Sequence, residues 1–502
     1  MSMGETPSSL LAQQVRALLA DAREAYAGTP QDEVLATAAA TFEEPLRVAI
    51  AGRVKAGKST LLNALIGEQV AATDAGECTR VVTWYLHGAG YRAWAHPYEG
   101  RPEAIGLRRG EGSSVLDLGG RAPESLERIT VELPNARLAQ LTMIDTPGIA
   151  STSVDVSRRT VEFLTSEQPD SGGADAVLYL MRHLHTSDVH FLEAFHDDDV
   201  SETMPVNAIG VLSRADEIGG GRTDAMALAQ GIASRYSDDP RVRALVQTVV
   251  PVAGLLAQAG ATLRQREYGA LGALAGAPVE DVAELELSVD RFTASATRAP
   301  VDAVVRAELL ERMGLFGVKV AVGLIRHGMA ASAPDLARAL TDLSGLPALR
   351  AVLVSQFTAR RDVLKAHGAL RTVGGVLAAT PVPGSDGLRL RQEEVAASTH
   401  DLAELRLLND LRTGDLVVGD ERRVRMEVLL GVRGGSPRAR LGLDASSDTE
   451  QVRAALLEQL GEGLPLAESP VATQAVRRAA GVLRRTCEGL FVDAELSGQP
   501  AL

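Results

Sequence analysis

The sequence predicts an α/β domain built on a mostly parallel sheet with helices on both faces, followed by an all-α helical bundle. Three observations predict it. A glycine-bearing loop, Gly52 to Thr60, stands between an apolar run, Leu46 to Ala51, and a helical stretch, Leu61 to Ile66. Short apolar runs then alternate with helical or polar segments as far as Val252, the pattern of strands buried on both faces. Beyond Gly254 the strand pattern stops and long amphipathic segments take over.

Composition narrows the class. The chain has 502 residues, 45% hydrophobic and 23% charged, as in a folded soluble protein. Aromatics are only 3%, which favours helices over β-sandwiches. A net charge of −14 argues against nucleic acid as a partner and against whole-surface adhesion to anionic lipid. Cys78 and Cys487 lie too far apart in sequence to suggest a disulfide framework or a metal cluster, and fit a reducing cytosol. The N-terminus has no basic, apolar leader, and no run reaches the roughly 18 apolar residues that a span needs. The expectation is a cytoplasmic protein that reaches the inner face of the cell membrane only peripherally.

The elements follow in order. Residues 8 to 27 carry Leu10, Leu11, Val15, Leu18, Leu19 and Ala22 at helical spacing and stop at Gly28-Thr29-Pro30. After the glycine loop and its helix comes a polar, small-residue stretch, Gly67 to Thr79. Val81 to Leu86 reads as a strand, and residues 97 to 127 read as an insertion at the sheet edge. Ile129 to Leu133 alternates as a half-buried strand, and Leu141 to Ile144 is a short buried one. Ala174 to Leu180, Val206 to Leu212 and Val246 to Val252 are further strands. Helices are predicted around Val189 to Ala194 and over 223–235. In the second half, helices are predicted over 303–328, 335–344, 347–372, 391–411, 421–430, 449–460 and 468–492, separated by Gly and Pro clusters.

Chemistry enters with the loop, which reads G-R-V-K-A-G-K-S-T. Strand, glycine loop ending Gly-Lys-Ser, then helix is the phosphate-binding P-loop pattern in its required context. The backbone of Gly52, Val54, Lys55, Ala56, Gly57, Lys58, Ser59 and Thr60 can curl round phosphate oxygens, aided by the helix N-terminus. Lys58 would reach the β- and γ-phosphates, and the Ser59 hydroxyl would ligate Mg²⁺. The chain has four lysines, Lys55, Lys58, Lys319 and Lys365, and two stand in this loop. A compact ammonium is wanted there, for which a planar guanidinium is no substitute.

Two aspartates complete the pattern. Asp145-Thr146-Pro147-Gly148 ends a predicted strand, where the carboxylate can hold Mg²⁺ through water and the Gly148 N–H can contact a γ-phosphate. Ser213-Arg214-Ala215-Asp216 follows another strand. A carboxylate at Asp216 can accept from the guanine N1–H and N2 amino group, donors that adenine lacks, so the implied ligands are GTP and GDP. Arg214 can lie over the base, and the N–H groups of Ala253-Gly254 are placed to meet the guanine O6. The usual guanine motif is N/T-K-x-D, so Ser213 and Arg214 are departures from it. Thr79 is the chosen switch threonine for Mg²⁺ and the attacking water, with Thr73 and Thr83 as competitors.

G-R-V-K-A-G-K-S-T at 52–60, E-C-T-R at 77–80, D-T-P-G at 145–148 and S-R-A-D at 213–216, in this order, resemble the dynamin-like branch of large GTPases. Stretches such as LRVAIAGRVKAGKSTLLNALIG, SRADEIGGGR and LLERMGLFGVKVA resemble the actinobacterial isoniazid-inducible dynamin-like proteins in more detail. The resemblance implies a membrane-remodelling GTPase. Residues 1–44 would join a neck bundle, 45–258 would form the G domain, and 259–502 a helical neck and trunk with a membrane tip. It implies Mg²⁺ on Ser59, Thr79 and Asp145, phosphates on Lys58, and the base on Asp216. It also implies self-association across the nucleotide face, or assembly with a paralogous partner. The alternative is a regulatory or scaffold GTPase that assembles with such a partner without remodelling membrane.

Lys55 occupies the P-loop position at which related GTPases place a ligand for a charge-compensating monovalent cation, and its ammonium is read as replacing that cation. Lys55, Lys58 and Thr79 are therefore the candidate catalytic residues. Val373 to Gly384 and Gly431 to Gly442 can each be read as a membrane-dipping loop or as a loop of the bundle. Met313 to Ile325 suits a buried core helix.

Overall fold

The computed structural model describes residues 10–71, 81–109, 114–148, 173–183, 207–294, 299–468 and 473–497. Ten strands form one sheet: β1 (Leu46–Gly52), β2 (Val82–His87), β3 (Arg92–Pro97), β4 (Glu103–Arg109), β5 (Ser114–Asp117), β6 (Leu126–Leu133), β7 (Leu141–Asp145), β8 (Ala176–Met181), β9 (Ala208–Ser213) and β10 (Val249–Val252). Their order is β10-β9-β8-β1-β7-β2-β6-β3-β4-β5. From β10 to β7 every neighbour is parallel. Beyond β7 the sheet turns mainly antiparallel, with β2 and β6 a parallel pair inside it. The expected edge insertion over 97–127 is the outer hairpin of β4 and β5.

Alternation explains why the central strands read as continuous apolar runs. Leu46, Val48 and Ile50 of β1 join one core, with Leu61 and Leu62 of α3 (Lys58–Ile66), whereas Ala49 and Ala51 join another. The second core is closed by Ala229 and Ala233 of α4 (Ala225–Asp238). Adjacent strand residues face opposite sides, so a sheet covered on both faces must be apolar at each position.

The remaining longer helices are α1 (Leu10–Ala25), α2 (Pro30–Glu43), α5 (Gly254–Thr262), α6 (Gln265–Gly276), α7 (Ala303–Arg326), α8 (Ala333–Leu343), α9 (Leu346–Gln356), α10 (Arg361–Ala379), α11 (Ser385–Ser398), α12 (His400–Thr413), α13 (Asp420–Leu429), α14 (Thr449–Glu468) and α15 (Gln474–Ser497). Helix α5 follows β10 directly and packs with α6, α7 and α8 in a core holding Leu256, Leu271, Met313, Phe316 and Leu340. The expected boundary at 258 therefore falls inside α5. Met313 to Ile325 lies in the core as the sequence suggested, but α7 is kinked at Gly314, φ 66 and ψ 172, which parts Met313 from the helix that follows.

Two further predicted helices divide. The 347–372 segment breaks at a turn, Thr358–Arg360, because Gln356 Nε2 donates to Gly431 O at 2.8 Å and Arg360 donates to Leu430 O. The 391–411 segment breaks at Thr399, whose backbone is extended, beside a His400–Thr486 contact of 3.1 Å. Both breaks answer tertiary partners that no local signal announces. The predicted 189–194 helix lies outside the described residues.

The N-terminal helices pack on α10 and α11, and the sheet is fastened to the helical half at its lower edge. The buried Lys365 ammonium on α10 meets Asp175 Oδ2 at 2.7 Å, and the same oxygen accepts from the Arg47 N–H of β1 at 2.7 Å. Arg361 donates to the carbonyls of Glu43 and Glu44 at 3.0 and 2.9 Å, closing the end of α2. Arg412, buried on α12, donates to Val246 and Gln247 O at 2.9 and 2.8 Å, just ahead of β10.

His367 on α10 gives this junction a pH signature. Burial, then Arg371 and Arg406, push its imidazole down from 6.5 to about 4. As pH falls from 6.5 towards 4, the unfolded chain binds a proton that the folded chain refuses. Stability is therefore full above that window and declines across it by up to about 3 kcal/mol. Urea denaturation across this range should show a steeper acid loss in wild type than in His367→Gln, and equal slopes would refute the assignment.

Candidate nucleotide site

Register places the site. In the parallel pairs Ile50 lies opposite Asp145, Gly52 opposite Leu180, and Val252 opposite Ser213. The carboxyl ends of β7, β1, β8, β9 and β10 thus form one edge, where ligands of such sheets bind.

Gly52 ends β1 with φ 145, and a Cβ there would stand 2.5 Å from Leu180 O. Only glycine can turn the chain out of the sheet at this contact. Lys55 has φ 63 and an exposed side chain, and Gly57 caps α3. Lys58 Nζ folds back over the loop, 3.1 Å from Gly52 O and 3.3 Å from Arg53 O. Burial lowers its pKa, and Asp145 opposes that shift.

Ser59 Oγ donates to Asp145 Oδ2 at 2.8 Å. Burial raises the Asp145 pKa, while Lys58 and the Ser59 hydroxyl oppose it. Its other oxygen, Oδ1, is buried with no hydrogen-bond partner among the described residues. A hydroxyl and a carboxylate converging at one point, with one carboxylate oxygen unsatisfied, fit Mg²⁺. That ion is commonly held by one or two protein oxygens plus substrate phosphates. Among the described residues no group of three or more His, Cys, Asp or Glu is arranged to hold a metal ion. Thr146 Oγ1 donates to Ile50 O at 2.9 Å and holds the D-T-P-G turn to β1. Gly148 closes on the loop: a Cβ on it would meet Val54 Cγ2 at 2.6 Å and Val54 Cα at 2.9 Å.

A cavity of about 120 Å³ joins this loop to the second motif. Ala56, Gly57 and Thr60 bound it on one side, and Ser213, Arg214 and Asp216 on the other. Arg214 takes a left-handed backbone, φ 52, and Ser213 Oγ donates to Met181 O at 3.2 Å. Asp216 is 8% exposed, and burial raises its pKa. Gly254 lies against Thr60 and also lines the cavity. The Ala253 N–H, however, donates to Ser344 O at 2.9 Å. That leaves Gly254, the first residue of α5, whose N–H the helix itself does not use. Thr79 lies outside the described residues, as do Thr73 and the E-C-T-R stretch.

The sequence reading missed Glu217, which pairs with Arg214 at 2.7 Å and with Arg182 at the end of β8. The rule that found Asp216, a polar residue just past a strand, would have found Arg182.

A profile described as the Dynamin family matches residues 48–210. The isoniazid-induced protein IniC of Mycobacterium tuberculosis (strain ATCC 25618 / H37Rv) is 40% identical over 452 residues, covering 88% of this chain and 91% of that protein. The chain belongs to the dynamin family. GTPase Der of Methylibium petroleiphilum is 28% identical over 169 residues, 31% of this chain and 33% of its own. A solved structure described as an oligomerised bacterial dynamin pair aligns over 99% of this chain and 77% of that one, at 13% identity and a TM-score of 0.29. The dynamin-family site is a GTPase site, and the three of its four sequence motifs that lie among the described residues meet at one sheet edge.

Gly148→Ala tests the approach of the D-T-P-G turn to the phosphate loop. The added methyl must push the D-T-P-G turn off Val54 while leaving the cores untouched. Nucleotide affinity should fall about tenfold or more with little change in melting temperature. Unchanged affinity would show that the approach is irrelevant to binding.

Proposed function

We propose that this protein hydrolyses GTP to GDP and phosphate and couples turnover to nucleotide-dependent self-association and to peripheral membrane binding and remodelling. The observation that carries the reading is the cavity shared by the phosphate loop and the S-R-A-D motif. Membership of the dynamin family supports the membrane and self-association parts. Among the described residues no helix is long and apolar enough to cross a membrane. The inner face of the cell membrane is the proposed place of work.

In this reading residues 45–258 form the G domain, and residues 1–44 and 259–502 form the helical neck and trunk. Lys58 binds the β- and γ-phosphates, and Ser59, Thr79 and Asp145 hold Mg²⁺. Bound Mg²⁺ would neutralise phosphate charge. The backbone of Gly52 and of Val54 through Thr60 orients the triphosphate, Gly148 meets the γ-phosphate, and Asp216 with Ser213, Arg214 and Gly254 selects the base. Water attacks the γ-phosphate, and the chain contributes positioning and charge neutralisation in a site dry enough to strengthen both. The exposed Lys55 ammonium supplies the cation that would otherwise come from solution.

Base selection is tested with Asp216→Ala, which removes the acceptor for two guanine donors. GTP affinity should drop about 100-fold while weak ATP binding stays unchanged. Equal loss for both nucleotides, or none, would reject the guanine assignment. Turnover should vanish in Lys58→Ala, which also removes any contaminating activity from doubt.

The Lys55 role has a separate readout. Wild-type turnover should be indifferent to exchange of potassium for sodium or choline, and Lys55→Ser should lose activity that potassium partly restores. Strict potassium dependence of the wild type would sink the idea.

A further inference from the structure

A second, larger cavity, of about 470 Å³, opens between α13, α14 and α15. It shares no element with the nucleotide site. Its wall is apolar, with Leu416, Met426, Leu429, Leu460, Leu483 and Cys487. Burial pushes the Cys487 thiol up to about 11, so the sulfur stays neutral and belongs to the wall. That volume lies within the roughly 300–1,000 Å³ of small-molecule sites.

The rim is cationic. Arg422 and Arg425 on α13 and Arg477 and Arg484 on α15 line the cavity, and all four are exposed. Arg484 approaches Glu488 only to 3.7 Å, on open surface where such a pair holds little, while Arg425 is 4.0 Å from Glu421 and has a further contact within the fold. Arg422 and Arg477 have no side-chain partner among the described residues. In a chain of net charge −14, four arginines around one apolar chamber are a local reversal of sign. Beside them Val417, between the lining residues Leu416 and Val418, stands 85% exposed as an apolar lip.

We propose that this cavity binds a single-chain anionic amphiphile, its hydrocarbon in the apolar chamber and its carboxylate or phosphate head among Arg422, Arg477 and Arg484. An apolar body with one charged end matches the division of the lining, and guanidinium groups suit planar or tetrahedral oxyanions. The site is independent of the GTPase reading, since none of its residues touches the nucleotide cavity.

The test uses the full chain and a fluorescent medium-chain fatty acid. Binding should saturate at one per chain, and an alkyl phosphate of similar length should compete. The matching alcohol should bind about tenfold more weakly or worse, and inorganic phosphate should not compete. Arg422→Ala with Arg477→Ala, both at exposed positions, should weaken the acid about tenfold. Ala480→Trp should block the chamber, with circular dichroism reporting its fold; if that variant misfolds, the arginine pair decides. Lys58→Ala should bind the acid as wild type does, even where GTP turnover is lost. The proposal is overturned by alcohol binding as tightly as acid, by an unaffected arginine variant, by displacement with phosphate alone, or by binding only to anionic vesicles.

Discussion

The parallel pairing of β1 with β8 is the constraint on which the rest depends. It sets Gly52 against Leu180 O, so closely that the chain can continue only by turning outward. The phosphate loop is that outward turn. The matching register of β1 with β7 brings Asp145 level with Ile50, and so within 2.8 Å of Ser59 across 86 residues of sequence. A slip of one residue would reverse the faces of the strand and carry the carboxylate away from the hydroxyl. Site geometry is therefore a consequence of sheet register, and the two cores that fix the register also fix the site.

The same two strands are held at their opposite ends. Asp175, just before β8, accepts from the Arg47 N–H of β1 and from the Lys365 ammonium of α10. One carboxylate thus ties both strands to the helical half. The choice of cation follows geometry. Lys58 and Lys365 act as compact charges in narrow, buried places. Arginine is used where two or more acceptors must be spanned, as Arg361 does at the end of α2 and Arg412 does ahead of β10. A planar fork reaches acceptors set side by side, whereas an ammonium gathers acceptors around one point, as Lys58 does with Gly52 O and Arg53 O.

Much of this was legible in the sequence, and the failures have physical causes. Strands β1, β7, β8 and β9 announced themselves because both of their faces are buried, and Gly52, Ser59, Asp145 and Asp216 because each sits at a strand end or in the loop that follows one. Strand β3 was missed, since Arg92-Ala93-Trp94-Ala95-His96-Pro97 is short and poor in β-branched residues. Helix α5 was missed because small residues pack on several sides and leave no stripe, and α6 because its buried stripe is short and includes Glu267 and Ala275. The breaks after Gln356 and at Thr399 stand beside partners more than seventy residues away in both cases, Gly431 for Gln356 and Thr486 for His400. The prior occupation of the Ala253 N–H by Ser344 O is likewise invisible in one dimension.

Charge counts mislead in a related way until each partner is known. Gly431 to Gly442 reads as a basic loop, yet Arg438 donates to Ser447 O at 2.6 Å and Arg440 donates to Leu429 O at 2.7 Å and to Glu404 at 2.6 Å. Those guanidinium groups hold the chain together and are not offered to a lipid headgroup. Val373 to Gly384 is likewise largely the end of α10, with Val373 and Leu377 in the core. A basic residue meets an outside anion only if the fold has not already given it one. By that criterion the phosphate loop qualifies through Lys55, α13 and α15 qualify through Arg422 and Arg477, and in the arginine-rich turn between α13 and α14 the exposed Arg433 qualifies whereas Arg438 and Arg440 do not.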